Sequence, residues 1–335
     1  MTTEKERIRA AIRQTLGKTI VDLLEDDSVI EIMRNANGAL CVERLGREIE
    51  LSAIILNDRA TESFIRFLAA ESGEICNEKS PSLAVKLPYW HARFQGLLPP
   101  VVDAPSFSIR KHSNQVFNLE DYVERGELSR EQFDYLTKAI VDRENIVISG
   151  GTGSGKTTLA NAILAKMIET GDRIITVEDT PELRLNSKTA QQIFTKDIIG
   201  YCSRQALKDI LRLRPDRIIL GELRDGACLD LIKAWNTGHS GGLTTIHANS
   251  CELALQRIES LIAEVSVTIP RELIAQTVNI VVQIKRCGSK RLVEDIKRVT
   301  GFIQQTYSFC TIRGEHAKYQ ANYRACHDSF IIHLP

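Results

Sequence analysis

Hydrophobic positions in the first 115 residues follow helical and strand periods in short alternating segments. Ile8, Ile12 and Leu16 recur at helical spacing, as do the apolar residues of DRATESFIRFLAAESG, which ends at Gly73. Strand-like runs occur at VIEIM and ALCVERL, with a turn signal between them, and again at FQGLLPPVV and SFSIRKH. This mixture predicts a small α+β N-terminal domain over residues 1–115.

The pattern changes to apolar strands that alternate with helices. The strands are NIVIS, RIITV, RIIL and LTTIH, and helices are expected from Lys156, near 203–213 and from Ala227. A later helix begins at Pro270, and VNIVVQI follows it as a further strand. Such alternation is typical of right-handed βαβ units around a parallel sheet. It predicts an α/β domain over residues 139–305.

Two segments flank this domain. Residues 116–138 form a connecting region, in which Ser129 and Gln132 make a capping box for a helix. Residues 306–335 are rich in Tyr, Cys and His and have weak periodicity, so they are expected to form an atypical tail. A metal site in that tail is disfavoured, because its Cys and His spacings match no known ligand pattern.

A phosphate-binding loop is predicted between the strand NIVIS and the next helix. The pattern G-x-x-x-x-G-K-T runs from Gly150 to Thr157 in the strand–loop–helix context that this motif requires. Backbone N–H groups of such a loop cradle phosphates, the lysine reaches the β- and γ-phosphates, and the threonine hydroxyl binds Mg²⁺. The candidate nucleotide-binding residues are Gly150, Gly151, Thr152, Gly153, Ser154, Gly155, Lys156, Thr157 and Thr158, with Thr157 also the candidate metal ligand.

Polar residues follow three other predicted strands. VEDTPEL places Glu178 and Glu182 after RIITV, where they either assist the chemistry or cap the next segment. RIIL is followed by Gly221, which has no side chain to hold a metal, and then by Glu222. Glu222 either polarises a water or is a solvated residue at the end of the strand. His247 ends LTTIH, in a glycine-rich context, and either contacts the γ-phosphate or has a structural role.

Arginines surround these motifs at positions 204, 212, 214 and 224. Most exposed arginines only increase solubility, but a guanidinium binds a phosphate in a bidentate way. Sequence alone leaves both roles open for each of them.

Composition narrows the function classes. Lys+Arg and Asp+Glu both number 43, so the zero formal charge argues against general nucleic-acid binding, although direct binding through a local patch stays open. No apolar leader and no run of roughly 18 to 20 apolar residues is present, and the eight cysteines form no C-x-x-C pair. We expect a cytoplasmic protein with reduced thiols, or one that is peripheral at the cytoplasmic face of an inner membrane.

The order of the motifs resembles the secretion ATPase superfamily of type II and type IV secretion. SGGTGSGKTT, VEDTPEL, LRLRPDRIILGELRD and GHSGGLTTIHANS are similar to its Walker A motif, Asp box, atypical Walker B motif and His box. DDSVIEIMRNANGALCVERLG and FQGLLPPVVDAPSFSIRKHS resemble the N-terminal domain of TrbB-type conjugal-transfer ATPases. The final thirty or so residues do not match the ending of that family.

The resemblance implies a hexamer of subunits with a RecA-like P-loop C-terminal domain and a smaller α+β N-terminal domain. It implies that Glu222 activates water, that Glu178 and Glu182 assist, and that His247 senses phosphate. Arg110, and less closely Arg93, match arginines of the N-terminal domain that approach the nucleotide in this family. ATP with Mg²⁺ and inner-membrane components of a secretion or conjugation machine are the implied ligands and partners.

The expected function is therefore ATP hydrolysis that powers conjugative DNA transfer, type IV secretion or assembly of the associated pilus. A type IV pilus or type II secretion motor of the same superfamily is one alternative. A P-loop kinase or regulatory NTPase is another, and it would yield a product other than free phosphate. A DNA-binding RecA-like protein is the third, and it would show salt-dependent DNA affinity.

Overall fold

The computed structural model describes residues 4–44, 47–87, 90, 92–111, 117–196, 199–288 and 290–312, and the chain divides into two compact units after Gln115. Each unit has its own hydrophobic core. No helix in these ranges is long and apolar enough to cross a membrane.

The N-terminal unit packs helices on one antiparallel sheet. Its elements are α1 (Glu4–Thr15), α2 (Lys18–Glu25), β1 (Val29–Arg34), β2 (Ala39–Arg44), β3 (Glu50–Ile55), α3 (Asp58–Ser72), β4 (Ser82–Leu87), β5 (Ala92–Leu97) and β6 (Ser106–Lys111). The sheet has six strands in the order β3-β2-β1-β6-β5-β4. Helix α3 ends as predicted, because Gly73 adopts a left-handed conformation there (φ 74°).

The C-terminal unit contains the predicted parallel sheet. Its helices are α4 (Leu119–Glu124), α5 (Arg130–Val141), α6 (Lys156–Ile168), α7 (Ser203–Ile210), α8 (Ala227–Asn236), α9 (Cys251–Ala263) and α10 (Arg271–Thr277). Its strands are β7 (Ile146–Ser149), β8 (Ile174–Glu178), β9 (Gln191–Phe194), β10 (Arg217–Leu220), β11 (Leu243–Ile246), β12 (Ile280–Cys287), β13 (Lys290–Ile303) and β14 (Thr306–Ile312). The order is β14-β13-β12-β7-β11-β10-β8-β9, parallel from β12 to β9.

The short central strands are rich in apolar residues because both faces of the sheet are covered. Every residue of β7, β8, β10 and β11 is buried. Helix α5 begins with the predicted capping box, in which the Ser129 hydroxyl accepts from the N–H of Gln132 and the Gln132 amide oxygen accepts from the N–H of Ser129.

The structure differs from the sequence analysis at both flanks of the α/β domain. Helices α4 and α5 belong to the C-terminal unit, so residues 117–138 are not a separate connecting region. Thr306–Ile312, expected to begin the atypical tail, forms strand β14, which pairs antiparallel with β13 through a turn at Gln304 and Gln305. Residues 313–335, which hold the His residues considered for a metal site, lie outside the described part of the chain.

Arg217 ties together loops at the amino ends of the parallel strands. Its side chain is buried, and its Nε donates to Asp172 Oδ2 at 2.6 Å. Its Nη1 and Nη2 donate to the carbonyls of Gly241 (3.1 Å) and Ile140 (2.8 Å). Each donor group of the guanidinium therefore meets an acceptor from a different part of the chain, which offsets the cost of burying its charge.

We predict that Arg217→Ala strongly destabilises the C-terminal unit. The substitution leaves Asp172 and two carbonyls without this donor, and breaking a buried pair costs about 3–5 kcal/mol. Urea unfolding of the two proteins measures the change. Arg204→Ala is the control, because Arg204 also pairs with an aspartate, Asp230 (2.8 Å), but its side chain is 46% exposed. Equal losses of unfolding free energy in the two variants would contradict a stabilising role for the buried contacts of Arg217.

Candidate functional site

The carboxyl ends of four parallel strands meet at one edge of the sheet. Ile246 of β11 is in register with Ser149 of β7, and Leu220 of β10 is in register with Val177 of β8. The four candidate motifs each follow one of these strands, so the pairing of the strands places them side by side.

Gly242 explains part of the glycine-rich segment before β11. A Cβ at Gly242 would lie 2.0 Å from Trp235 Nε1 and 2.6 Å from the carbonyl oxygen of Ile218. Trp235 Nε1 donates to that carbonyl at 3.0 Å. Only glycine leaves room for this contact, which packs α8 closely against β10 and β11.

The predicted phosphate loop joins β7 to α6. A Cβ at Gly150 would lie 2.4 Å from the carbonyl oxygen of Ile284, and Gly153 and Gly155 have left-handed backbones (φ 70° and 97°). Gly151 and Thr152 are exposed, Ser154 is buried, and Thr157 and Thr158 lie half-buried in the first turn of α6. This loop before a helix N-terminus has the backbone that favours an anion.

Lys156 is the buried cation of the loop. Its Nζ donates to the carbonyls of Gly150 (2.9 Å) and Gly151 (3.0 Å) and lies 3.2 Å from His247 Nδ1. A charged lysine only donates, so Nδ1 must accept and the imidazole proton is on Nε2. Burial lowers the pKa of His247, and the charges of Lys156, Arg224 and Arg257 lower it further against the opposing effect of Glu222. His247 is therefore neutral around neutral pH.

Glu222 lies between a histidine and an arginine. Its Oε1 is 2.9 Å from His247 Nε2, and its Oε2 accepts from Arg224 Nε at 2.7 Å and from Nη2 at 2.5 Å. The remaining nitrogen, Nη1 of Arg224, donates to Asp179 Oδ2 at 3.1 Å. The side chains of Lys156, His247, Glu222, Arg224 and Asp179 thus form one continuous chain of contacts along the sheet edge.

The two glutamates of VEDTPEL have different environments. Glu178 is buried, and its Oε1 accepts from the backbone N–H groups of Glu182 (2.9 Å) and Leu183 (2.8 Å). Burial raises the pKa of Glu178 to about 7. Glu182 instead reaches the phosphate loop, where its Oε2 accepts from Thr157 Oγ1 at 3.1 Å. Glu178 therefore holds the backbone of the VEDTPEL loop in place, while Glu182 contacts the candidate metal ligand Thr157.

Sequence reasoning missed two amides that hold this loop. Asn161 donates to the carbonyl of Glu182 (3.0 Å) and accepts from the N–H of Arg184 (2.8 Å). Gln192 of β9 donates to Glu178 Oε2 at 3.3 Å. Asn161 follows Thr157 by one helical turn, so its spacing was a usable signal. Gln192 carries no such signal in the sequence, because only the pairing of β9 with β8 brings its side chain close to Glu178.

The candidate arginines lie in both units of the chain. Arg93 of β5 and Arg110 of β6 are in direct register with each other in the N-terminal unit, and Arg110 is also in register with Glu31 of β1. Their predicted contact with a nucleotide stays a prediction. Arg224, considered for phosphate binding, instead holds two carboxylates in this structure.

A family model and individual relatives both match proteins of secretion and conjugation systems. The sequence pattern of the family described as "Type II/IV secretion system protein" matches residues 14–328. The chain is 41% identical to conjugal transfer protein TrbB of Rhizobium radiobacter, over 90% of this chain and 93% of that protein. It is 32% identical to type IV secretion system protein VirB11 of Bartonella henselae, over 85% of this chain and 92% of that protein.

A solved structure agrees in fold. The ATPase DotB of Legionella pneumophila superposes with a TM-score of 0.60 at 18% identity, covering 82% of this chain and 77% of that one. The resemblance inferred from the four motifs is confirmed by the family match and by the sequence relatives. This chain belongs to the type II/IV secretion system protein family, and its four motifs lie at the carboxyl ends of four neighbouring parallel strands.

Proposed function

We propose that this chain hydrolyses Mg·ATP, as a hexameric ring, to power conjugative DNA transfer, type IV secretion or assembly of the associated pilus. The observation that carries the proposal is the contact chain from Lys156 of the phosphate loop through His247 to Glu222. It connects a phosphate-binding cation to a carboxylate suited to water activation. The similarity to TrbB and VirB11 supports the cellular role.

Nucleotide binding would change the partners of Lys156. The carbonyls of Gly150 and Gly151 now accept from its ammonium, and phosphate oxygens carry more negative charge than carbonyls do. Lys156 would therefore turn toward the β- and γ-phosphates, and His247 Nδ1 would lose its contact with the ammonium. The histidine would then report whether a phosphate occupies the loop, which fits the sensing role implied by the motif.

The residues beside the loop fit a magnesium ion that arrives with the nucleotide. Thr157 and Glu182 present oxygen atoms 3.1 Å apart next to the loop. Within the described ranges, no group of three or more His, Cys, Asp or Glu side chains forms a metal site by itself. Mg²⁺ suits this arrangement because it keeps several waters and takes other ligands from phosphate. When bound, it would neutralise phosphate charge, held by Thr157 directly and by Glu182 through water.

Glu222 is the proposed group that orients the attacking water. It lies at the end of β10, beside His247, and two neighbouring side chains hold its carboxylate in place. Glu178 and Glu182 assist through the shape of their loop. Arg93 and Arg110 are proposed to contact the nucleotide, as the family resemblance implies. A cytoplasmic location, or a peripheral one at the inner membrane with partners there, belongs to the same proposal, and direct nucleic-acid binding is left open.

Substitutions at the two ends of the contact chain should separate binding from turnover. Lys156→Ala should weaken nucleotide affinity by about 100-fold or more, because the phosphates lose their buried cation. Glu222→Gln should keep the affinity and lower turnover by about 100-fold or more, because the amide accepts no proton. Binding of a fluorescent ATP analogue and release of free phosphate measure the two effects.

Lys166→Ala is the matched control for the lysine. Lys166 lies on the same helix but pairs with Glu120 and Glu169 on the surface. Its loss should therefore change neither nucleotide affinity nor turnover. Wild-type turnover in Glu222→Gln would refute the role of that carboxylate. Transfer of the γ-phosphate to an acceptor other than water would favour a kinase.

Assembly should determine activity if the ring is the working form. Phosphate release per subunit should rise steeply with protein concentration and then level off, with the plateau coinciding with a hexamer in particle-mass measurements. A rate per subunit that stays constant while the particle mass remains that of a monomer would contradict the ring.

Glu178 should make stability depend on pH. The unfolded chain loses this proton near pH 4.5, whereas the folded protein keeps it until about pH 7. Stability that Glu178 contributes below pH 4.5 is therefore lost as pH rises toward 7, by about 1.4 kcal/mol per pH unit. Glu178→Gln keeps the acceptor oxygen but does not titrate, so its urea unfolding should lack this slope.

Glu169→Gln serves as the comparison, because the Glu169 side chain is 64% exposed. It should follow the wild-type pH dependence between pH 5 and 7. If Glu178→Gln also shows the pH dependence of the wild-type protein, then Glu178 ionises at its ordinary pKa in the folded protein.

A further inference from the structure

Arg224 lies two residues after Glu222, and the chain between them is fixed. The Leu223 side chain is buried in the core, and the Leu223 N–H donates to the carbonyl of Thr245 at 2.8 Å. Leu223 therefore anchors the backbone between Glu222 and Arg224, and the side chains of these two residues contact each other at the sheet edge.

The guanidinium of Arg224 meets two carboxylates from different strands. Nε and Nη2 bind Oε2 of Glu222, and Nη1 binds Oδ2 of Asp179, which follows β8. A second donor holds each carboxylate from its other side, namely His247 Nε2 on Glu222 Oε1 and Thr195 Oγ1 on Asp179 Oδ1 (2.6 Å). Both carboxylates are thus held at each of their oxygens, with Arg224 as the shared partner.

Stability does not account for this arrangement. The Arg224 and Asp179 side chains are 51% and 49% exposed, and exposed ion pairs contribute only about 0–1 kcal/mol. What the contacts do restrict is the orientation of the Glu222 carboxylate, whose side chain is 19% exposed. Orientation matters for a group that positions a water, since a displacement of about 1 Å costs about 100-fold in rate.

We infer that Arg224 is a positioning residue, which orients Glu222 for water activation and joins the ends of β8 and β10 through Asp179. The inference rests on the proposed ATPase function. Arg224 acts on carboxylates, not on the phosphates, so its loss is expected to affect turnover and not nucleotide affinity.

The test compares Arg224→Gln, Arg224→Lys and Asp179→Asn with the wild-type protein in steady-state ATP hydrolysis. Arg224→Gln should lower kcat at least 10-fold and change KM less than about threefold, because the phosphate loop is untouched. Arg224→Lys restores the charge but not the planar fork, so its kcat should lie between those of Gln and Arg. Asp179→Asn should have a smaller effect, because the contacts of Arg224 with Glu222 persist.

The outcomes separate this inference from the proposed function. Wild-type hydrolysis that stops in Glu222→Gln but continues normally in Arg224→Gln overturns only the role of Arg224. A raised KM with unchanged kcat also overturns it, because Arg224 would then contact the nucleotide itself. Absence of hydrolysis in the wild-type protein overturns both. Melting temperatures of the variants within about 2 °C of the wild type would show that a lowered kcat is not caused by unfolding.

Discussion

The parallel pairing of β7, β11, β10 and β8 is the constraint on which the candidate site depends. Parallel strands end at the same edge of a sheet, so residues that follow them become neighbours although they are far apart in sequence. Lys156 and His247 are 91 positions apart, yet their nitrogen atoms lie 3.2 Å from each other. Two features keep the strands in register: close packing of Trp235 over Gly242, and the buried contacts of Arg217 at the opposite edge.

Charges at this edge alternate in sign and contact one another. Lys156, neutral His247, Glu222, Arg224 and Asp179 follow in that order. A buried ammonium without acceptors would be costly, so the carbonyls of Gly150 and Gly151 stabilise the charge of Lys156. Under the proposed function, a nucleotide would replace those bonds. Phosphate binding at one end of the series would then change the contacts of His247, one contact away from Glu222.

Local signals explain what the sequence could predict. The phosphate loop, Glu222 and His247 each follow an apolar strand directly, so strand prediction was enough to place them on one edge. The partners of Arg224 and the contact of Gln192 with Glu178 could not be predicted, because they depend on which strands are neighbours. Strand β14 was missed for a related reason. It is an edge strand whose residues are mostly half-buried, which weakens the hydrophobic alternation.

The structure also explains why the residue after β10 is Gly221 and not an acidic residue that could hold a metal. A Cβ at Gly221 would lie 3.2 Å from Cγ of Glu178 and 3.6 Å from the carbonyl oxygen of Val177. An aspartate there would place a second carboxylate against Glu178, a group whose burial already disfavours its charged form. A second carboxylate beside Glu178 would disfavour the charged form of Glu178 further, and glycine at position 221 avoids that effect. Glu178 holds the loop that carries Glu182, and the first carboxylate after β10 is Glu222, which contacts His247 and Arg224.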